Sequence, residues 1–219
     1  MMHDISFDDL IEKNGLTYLK LNQELFSGDV EGKDESGFYV LGSFKDGKKD
    51  RLWEFFWANG QINARATYEF GEENGISETY WTNGNLNNRG TFKDGKKHGL
   101  WEFFYENGAI QEKGFYKYDK ENGLWSWYDV VGSLNSTGNF LNGKAHGLWE
   151  SLYGNGKVNQ RGHWKSGIPD GEFEFFSEEG HLKQKKSFKD GKLNGVWEVY
   201  DENGDLVGKY VYRENILID

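Results

Sequence analysis

The chain has 219 residues, of which 30 are Gly, one is Pro and none is Cys, with 17% aromatics and a net charge of −10. Without Cys there is no disulfide framework and no thiolate metal site. The negative charge argues against nucleic acid or an anionic membrane as partner and in favour of a basic protein.

Residues 1–36 read as an acidic opening segment. Asp4, Asp8, Asp9, Glu12, Glu24, Asp29, Glu31, Asp34 and Glu35 face only three lysines there, so this stretch carries six of the ten net negative charges. It has neither the basic start nor the apolar core of a signal peptide. No part of the chain approaches the ~20 apolar residues of a membrane span. A soluble, cytoplasmic protein is expected.

Beyond it the sequence repeats. Asn59-Gly60, Asn83-Gly84, Asn107-Gly108, Val131-Gly132, Asn155-Gly156, Glu179-Gly180 and Asn203-Gly204 recur every 24 residues without insertion or deletion. Trp53, Trp101, Trp125, Trp149 and Trp197 keep the same phase, as do Phe44, Tyr68, Phe92, Tyr116, Phe140, Trp164 and Phe188. The units run 42–65, 66–89, 90–113, 114–137, 138–161, 162–185 and 186–209, within an array spanning 37–209. Residues 210–219 read as a C-terminal capping strand.

Asn-Gly between β-prone flanks signals a two-residue type I′ hairpin. Asp94-Gly95-Lys96-Lys97-His98-Gly99 reads as a longer polar loop on the other side. Counting outward from each Asn-Gly pairs Trp125 with Gly138, Trp149 with Gly162, Gly123 with Phe140, Gly147 with Trp164 and Trp53 with Ala66. Each ring meets a small residue, which gives it room to lie across the neighbouring strand. The same register opposes Glu54 to Arg65, Glu78 to Arg89, Glu150 to Arg161, Glu174 to Lys185 and Glu198 to Lys209. Where the acid is lost, at Ser126, its partner is Thr137. Cross-strand pairs of this kind contribute roughly 0.2–1 kcal/mol each. The expected fold is all-β, an elongated, twisted, largely single-layer antiparallel meander of tandem hairpins stabilised by stacking neighbours.

Units such as Gly90-Thr91-Phe92-Lys93-Asp94-Gly95-Lys96-Lys97-His98-Gly99-Leu100-Trp101-Glu102-Phe103-Phe104-Tyr105-Glu106-Asn107-Gly108 resemble the MORN repeat variant. That variant is found in bacterial proteins described as antitoxins of toxin–antitoxin systems. Gly167-Ile168-Pro169-Asp170-Gly171 resembles another form of its loop, and Asn14-Gly15-Leu16-Thr17-Tyr18 with Glu24-Leu25-Phe26-Ser27-Gly28 resembles its usual opening. Ser77, Asp119-Lys120-Glu121 and Val130-Val131 depart from the pattern, and local irregularity is expected there. The resemblance implies a protein-binding antitoxin or immunity protein that occludes a cognate toxin. A scaffold that binds a cellular protein or a membrane surface is the alternative.

The repeats offer little to catalysis. Acids of the Glu column recur two strands apart, roughly 10 Å, too far for a retaining glycosidase pair, and each faces a base. His98 and His146 sit roughly 19 Å apart by the same spacing and cannot share a metal. No enzyme, cofactor or metal is expected. The column that varies is the better candidate for contact. Trp57, Trp81, Tyr105 and Tyr153 share a slot that holds Asp129, Ser177 and Asp201 elsewhere, so packing does not demand a ring there. These aromatics, of the type that anchors interfaces, form the expected partner site together with Asp8, Asp9, Glu31, Asp34 and Glu35.

Overall fold

A computed structural model describes residues 5–34 and 37–219, so Glu35 of the expected partner site lies outside the described residues. The chain divides into two compact units, Met1–Gly108 and Ala109–Asp219. In the first, a 3₁₀ turn over Phe7–Asp9 precedes a two-stranded sheet of β1 (Leu10–Lys13) and β2 (Leu16–Leu19). An antiparallel meander follows, through β3 (Gly28–Lys33), β4 (Tyr39–Lys45), β5 (Lys48–Phe56), β6 (Ile62–Glu69), β7 (Glu72–Tyr80), β8 (Leu86–Lys93) and β9 (Lys96–Phe104). The second unit continues the pattern with β10 (Ile110–Lys117), β11 (Lys120–Tyr128), β12 (Leu134–Leu141), β13 (Lys144–Leu152), β14 (Val158–Lys165), β15 (Ile168–Phe176), β16 (Leu182–Lys189), β17 (Lys192–Tyr200), β18 (Leu206–Arg213) and β19 (Ile216–Leu217). The all-β expectation holds. At the C-terminus, 210–213 still belong to β18, and only β19 caps it.

The two turn types are the reverse of the sequence expectation. Asp94-Gly95 is the tight turn, with φ of +51° and +69°, the positive pair that type I′ requires. Lys96, Lys97 and His98 are therefore strand, not loop. Even where Gly is missing, Tyr118-Asp119 keeps φ at +50° and +65°, so the expected irregularity does not disrupt the turn. Asn59-Gly60 instead lies in a three-residue loop. Trp57 and Gln61 close it, Gly60 N–H donates to Trp57 O at 2.9 Å, and Gly60 alone has positive φ, at +82°. This is a type I turn followed by a left-handed residue. The extra loop residue shifts the pairing by one, to Phe56 opposite Ile62, and a bulge then restores Phe55 opposite Ala64. The predicted register thus survives, with Trp149 opposite Gly162 and Glu150 opposite Arg161.

Ring and glycine do meet, but across the other strand boundary. A Cβ on Gly138 would lie 2.3 Å from Trp149 Cδ2, and one on Gly90 would lie 2.2 Å from Trp101 Cδ2. Trp53 covers Gly42, Trp125 covers Gly114 and Phe173 covers Gly162 in the same way. Each ring therefore lies over the strand before its own. The cause is a bulge beside the type I′ turn. In the β12–β13 pair the register jumps from Phe140–Ala145 to Gly138–Trp149, leaving Asn139 opposite three residues. Trp149 Nε1–H donates to the freed Asn139 carbonyl at 2.9 Å. Trp53, Trp101 and Trp125 do the same to Ser43, Thr91 and Phe115. Edge-on contacts at 4.9–5.2 Å join Phe44 to Trp53, Phe92 to Trp101, Tyr116 to Trp125 and Phe140 to Trp149.

The charged column on the opposite face is also shared between hairpins. Arg65 pairs with Glu54 at 2.8 Å and Lys209 with Glu198 at 3.8 Å, as the register predicts. Arg89, however, bonds Glu102 at 2.6 Å, Arg161 bonds Glu174, and Lys185 bonds Glu172 at 3.0 Å. Arg65, Arg89, Arg161 and Lys185 each stand opposite an acid on both neighbouring strands, whereas Lys113 faces Ser126 on one side.

Cores differ between the ends of the first unit. Leu10, Phe26, Val30, Val40, Phe44 and Trp53 are buried together, with Ile5, Phe7 and Phe38 packed on them. The opening segment is thus a second layer over the first repeat, and apolar residues of the opposite face such as Leu52, Ile76 and Leu100 remain exposed.

Gly138→Ala should destabilise the chain by about 1–3 kcal/mol, the cost of overpacking, because the new methyl meets the Trp149 ring. Gly154 also lacks positive φ, and a Cβ there touches nothing within 4 Å. Gly154→Ala should change stability by less than about 0.5 kcal/mol. Urea midpoints at constant m-value read both, and equal effects would refute the ring-over-glycine packing.

Candidate functional site

The variable aromatic slot opens the three-residue turn. Trp57, Trp81, Tyr105 and Tyr153 are all half-buried. Trp81 Nε1–H donates to Phe104 O at 3.2 Å and Tyr153 Oη–H to Phe176 O at 2.7 Å, so each straps its turn to the next hairpin. Trp57 packs edge-on against Phe38 at 6.3 Å. Its indole nitrogen is buried without a hydrogen-bond partner. Where the ring is absent, Asp129 accepts from the Val131 and Ser133 amides at 3.0 and 2.8 Å, Ser177 Oγ from the His181 amide at 3.2 Å, and Asp201 from the Asn203 and Asp205 amides at 2.9 Å. The slot has a duty in either form: rings tie it to the neighbour and short polar chains cap its own turn. Tolerance of Asp is therefore no sign that packing is idle there, and this corrects the sequence argument.

The acids of the expected site fall on the opening segment. Asp8 and Asp9 sit in the exposed 3₁₀ turn, where Asp9 accepts from Ser6 N and Oγ at 3.0 and 3.1 Å. Glu31, on β3, accepts from Tyr39 Oη, and that bond raises the Tyr39 phenol above its ordinary value. Asp34 accepts from the Phe38 amide at 3.0 Å. Since Phe38 also packs on Trp57, the structure brings Asp34 and Trp57 to one neighbour. Tyr153 belongs to the second unit.

A cavity of the first unit escaped the sequence reading. It is a cleft of about 490 Å³ between the opening segment and the first repeats. Phe7, Leu10, Ile11, Glu12 and Asp34 line it from the opening segment, and Phe44, Lys48, Lys49, Trp53, Phe55, Phe70 and Glu72 from the repeats. Lys49 Nζ lies 4.4 Å from the centre of Trp53, 5.4 Å from Phe55 and 5.0 Å from Tyr68, a cation on three ring faces. Burial pushes the Lys49 ammonium below its ordinary pKa, and the charges of Asp34, Glu73 and Glu12 oppose that shift.

The Lys49 slot has its own logic along the chain. It reads Lys49, Glu73, Lys97, Glu121, and the cross-strand rings read Phe44, Tyr68, Phe92, Tyr116. Lys lies opposite a ring without a hydroxyl, and Glu lies opposite tyrosine. Tyr68 Oη–H donates to Glu73 at 3.3 Å. Among the described residues no group of His, Asp and Glu is arranged to hold a metal, and no helix is long and apolar enough to cross a membrane.

Comparison with known proteins supports the repeat reading. The family model described as "MORN repeat variant" matches residues 52–69, 73–94, 97–118, 145–166, 169–190 and 193–214. The hairpin it passes over is the one with Asp119 and Val130-Val131, which still keeps its register, Trp125 opposite Gly138. No curated protein matches the chain. Among solved structures, one of S. aureus TarM in complex with Fondaparinux, alpha-GlcNAc-glycerol and UDP is 15% identical, with a TM-score of 0.30. It covers 54% of this chain and 21% of its own. A second TarM structure is 17% identical over 47% of this chain and 20% of its own, with a TM-score of 0.29. The chain thus spans about a fifth of TarM, and a likeness of that size carries no argument.

Burial, and then the nearby Glu73 charge, push the Tyr68 phenol up to about 12, and burial with Glu121 does the same to Tyr116. A phenol raised in the folded state stabilises the fold below its unfolded pKa near 10. That stability is lost as pH rises from about 10 towards 12. Absorbance titration near 295 nm should show a late phenolate step that merges with the others in urea and shrinks in Tyr68→Phe. A single step near pH 10 in the folded protein would contradict it.

Proposed function

This chain belongs to the MORN repeat variant family, and from that premise we propose that it is an immunity protein or antitoxin. In this reading it neutralises a cognate bacterial toxin by binding it directly and occluding its working surface. The observation that carries the reading is the acidic opening segment folded onto the first repeat, where it frames a cleft with aromatic walls and Glu12, Asp34 and Glu72 on its lining. A net charge of −10, concentrated in residues 1–36, steers a basic protein toward this end of the chain. Half-buried aromatics are the residue type that anchors such contacts once charge has brought the partners together, and Trp57, Trp81 and Tyr105 line up at the three-residue turns of the first unit. The β scaffold needs no chemistry of its own in this role, since covering roughly 800 Å² of a toxin is enough for a stable complex.

The test is co-expression with the product of the adjacent open reading frame. Growth arrest by that product alone, rescue by this chain, and co-purification as a stoichiometric complex are expected. A neighbour that is harmless and does not bind overturns the reading, and capture by anionic vesicles at physiological salt would replace it with a membrane scaffold. Within the complex, Trp57→Ala combined with Trp81→Ala should weaken binding by more than about tenfold, as interface anchors do, while the β circular-dichroism signature persists. Unchanged affinity would remove the aromatic turn column from the interface.

A further inference from the structure

Phe70 stands at the mouth of the cleft in a conformation that its side chain disfavours. It occupies the first position of a type I′ turn with φ of +53°, where other turns of the chain place Asp46, Asp94, Asn142, Ser166 or Asp190, and one other ring, Tyr118 at +50°. Bulky residues rarely adopt this left-handed region. Nor does packing reward it, because Phe70 is 68% exposed. Tyr118 shares that backbone, so it is the cleft itself that points to a ligand: Phe70 lines it together with Trp53, Phe55 and the acids Glu12, Asp34 and Glu72.

The cleft already displays what it takes. Lys49 lays its ammonium on the faces of Trp53, Phe55 and Tyr68, and the charges of Asp34, Glu73 and Glu12 favour that cation. Burial works against it, because an ammonium is strongly hydrated and gives up much on leaving water. A guanidinium is more weakly hydrated, is planar, and stacks on rings while donating to carboxylates.

We propose that this cleft is a binding site for an arginine side chain presented by the partner protein, with Phe70 closing over the guanidinium, Glu12 and Glu72 pairing with it, and Lys49 the internal placeholder it displaces. The site deepens the toxin-binding reading and rests on it for the protein that supplies the arginine. Ring faces beside Glu12, Asp34 and Glu72, which outnumber Lys48 and Lys49 on the lining, select cation over neutral, and planar cation over ammonium.

The experiment titrates the full chain with N-acetyl-arginine amide, using N-acetyl-citrulline amide as the neutral isostere, and follows the amides of Gly47 and Gly71 and the Trp53 indole by NMR. Saturable shifts in the millimolar range are expected for the arginine probe, with about tenfold weaker response to citrulline, the scale of one such charged contact. Glu12→Gln with Glu72→Gln should weaken the arginine probe by a similar factor. Lys49→Met should strengthen it several-fold by removing the placeholder, and loss of binding in that variant would overturn the proposal in favour of an anionic guest. Phe70→Asn carries the sharpest readout. Asn suits the turn, so the melting temperature should rise while arginine binding weakens, whereas a merely structural Phe70 would leave binding unchanged. Failure of the arginine probe to shift these signals, with a toxin complex nonetheless formed, overturns the site and leaves the toxin reading standing. Saturable arginine binding without any toxin partner supports the site and overturns the toxin reading.

Discussion

Each indole of the ladder bridges two hairpins, with its face on the glycine of the preceding strand and its N–H on the carbonyl that the bulge frees. That geometry sets the rest. The bulge beside the type I′ turn exposes one main-chain acceptor per repeat, and a half-buried carbonyl left unpaired would cost roughly 1–3 kcal/mol. Only a long donor that folds back over the strand can reach it. The ring can fold back only if the residue beneath has no side chain. Trp53 over Gly42, Trp101 over Gly90, Trp125 over Gly114 and Trp149 over Gly138 meet both conditions.

The exceptions follow the same rule. Ala66 and Ser77 occupy one glycine–ring pair of positions, opposite each other in the β6–β7 register, and there the glycine and the ring are both gone. Phe173 keeps the face over Gly162 but has no N–H to offer. At the last pair Lys186 replaces the glycine. Its ammonium lies 4.5 Å from the Trp197 ring centre, and the Trp197 indole nitrogen is buried without an acceptor. The ring instead lies near Tyr210 and Tyr212. Nearest-neighbour links of this kind are what a repeat array depends on, since a lone hairpin buries too little to stand.

The period of 24 and the large-against-small pairing were legible in the sequence because they are properties of spacing. Which neighbour a ring covers was not. Gly138 has Trp125 thirteen residues before it and Trp149 eleven after, and both are its register partners, so counting alone cannot choose. The choice comes from the bulge, which spacing does not reveal. The turn types were exchanged for a related reason: Asn-Gly suits a type I′ turn, but it also suits a type I turn with glycine in the left-handed position, and the compensating bulge hides the difference in register. The cleft was illegible because it forms between a segment outside the repeat and the first copies of it. Phe70 was nonetheless visible as a departure, since only Tyr118 among the other turns of the array also puts a ring where most place Asp, Asn or Ser.

The most direct measurement is a double-mutant cycle on Gly90 and Trp101, using Gly90→Ala, Trp101→Ser and the pair, which reproduces the Ala66 and Ser77 arrangement. If the ring rests on the glycine, the alanine methyl costs little once the ring is gone. The two substitutions should then couple by at least about 1 kcal/mol, the range found for residues in contact. Additive effects within about 0.3–0.5 kcal/mol, the behaviour of independent sites, would contradict the account.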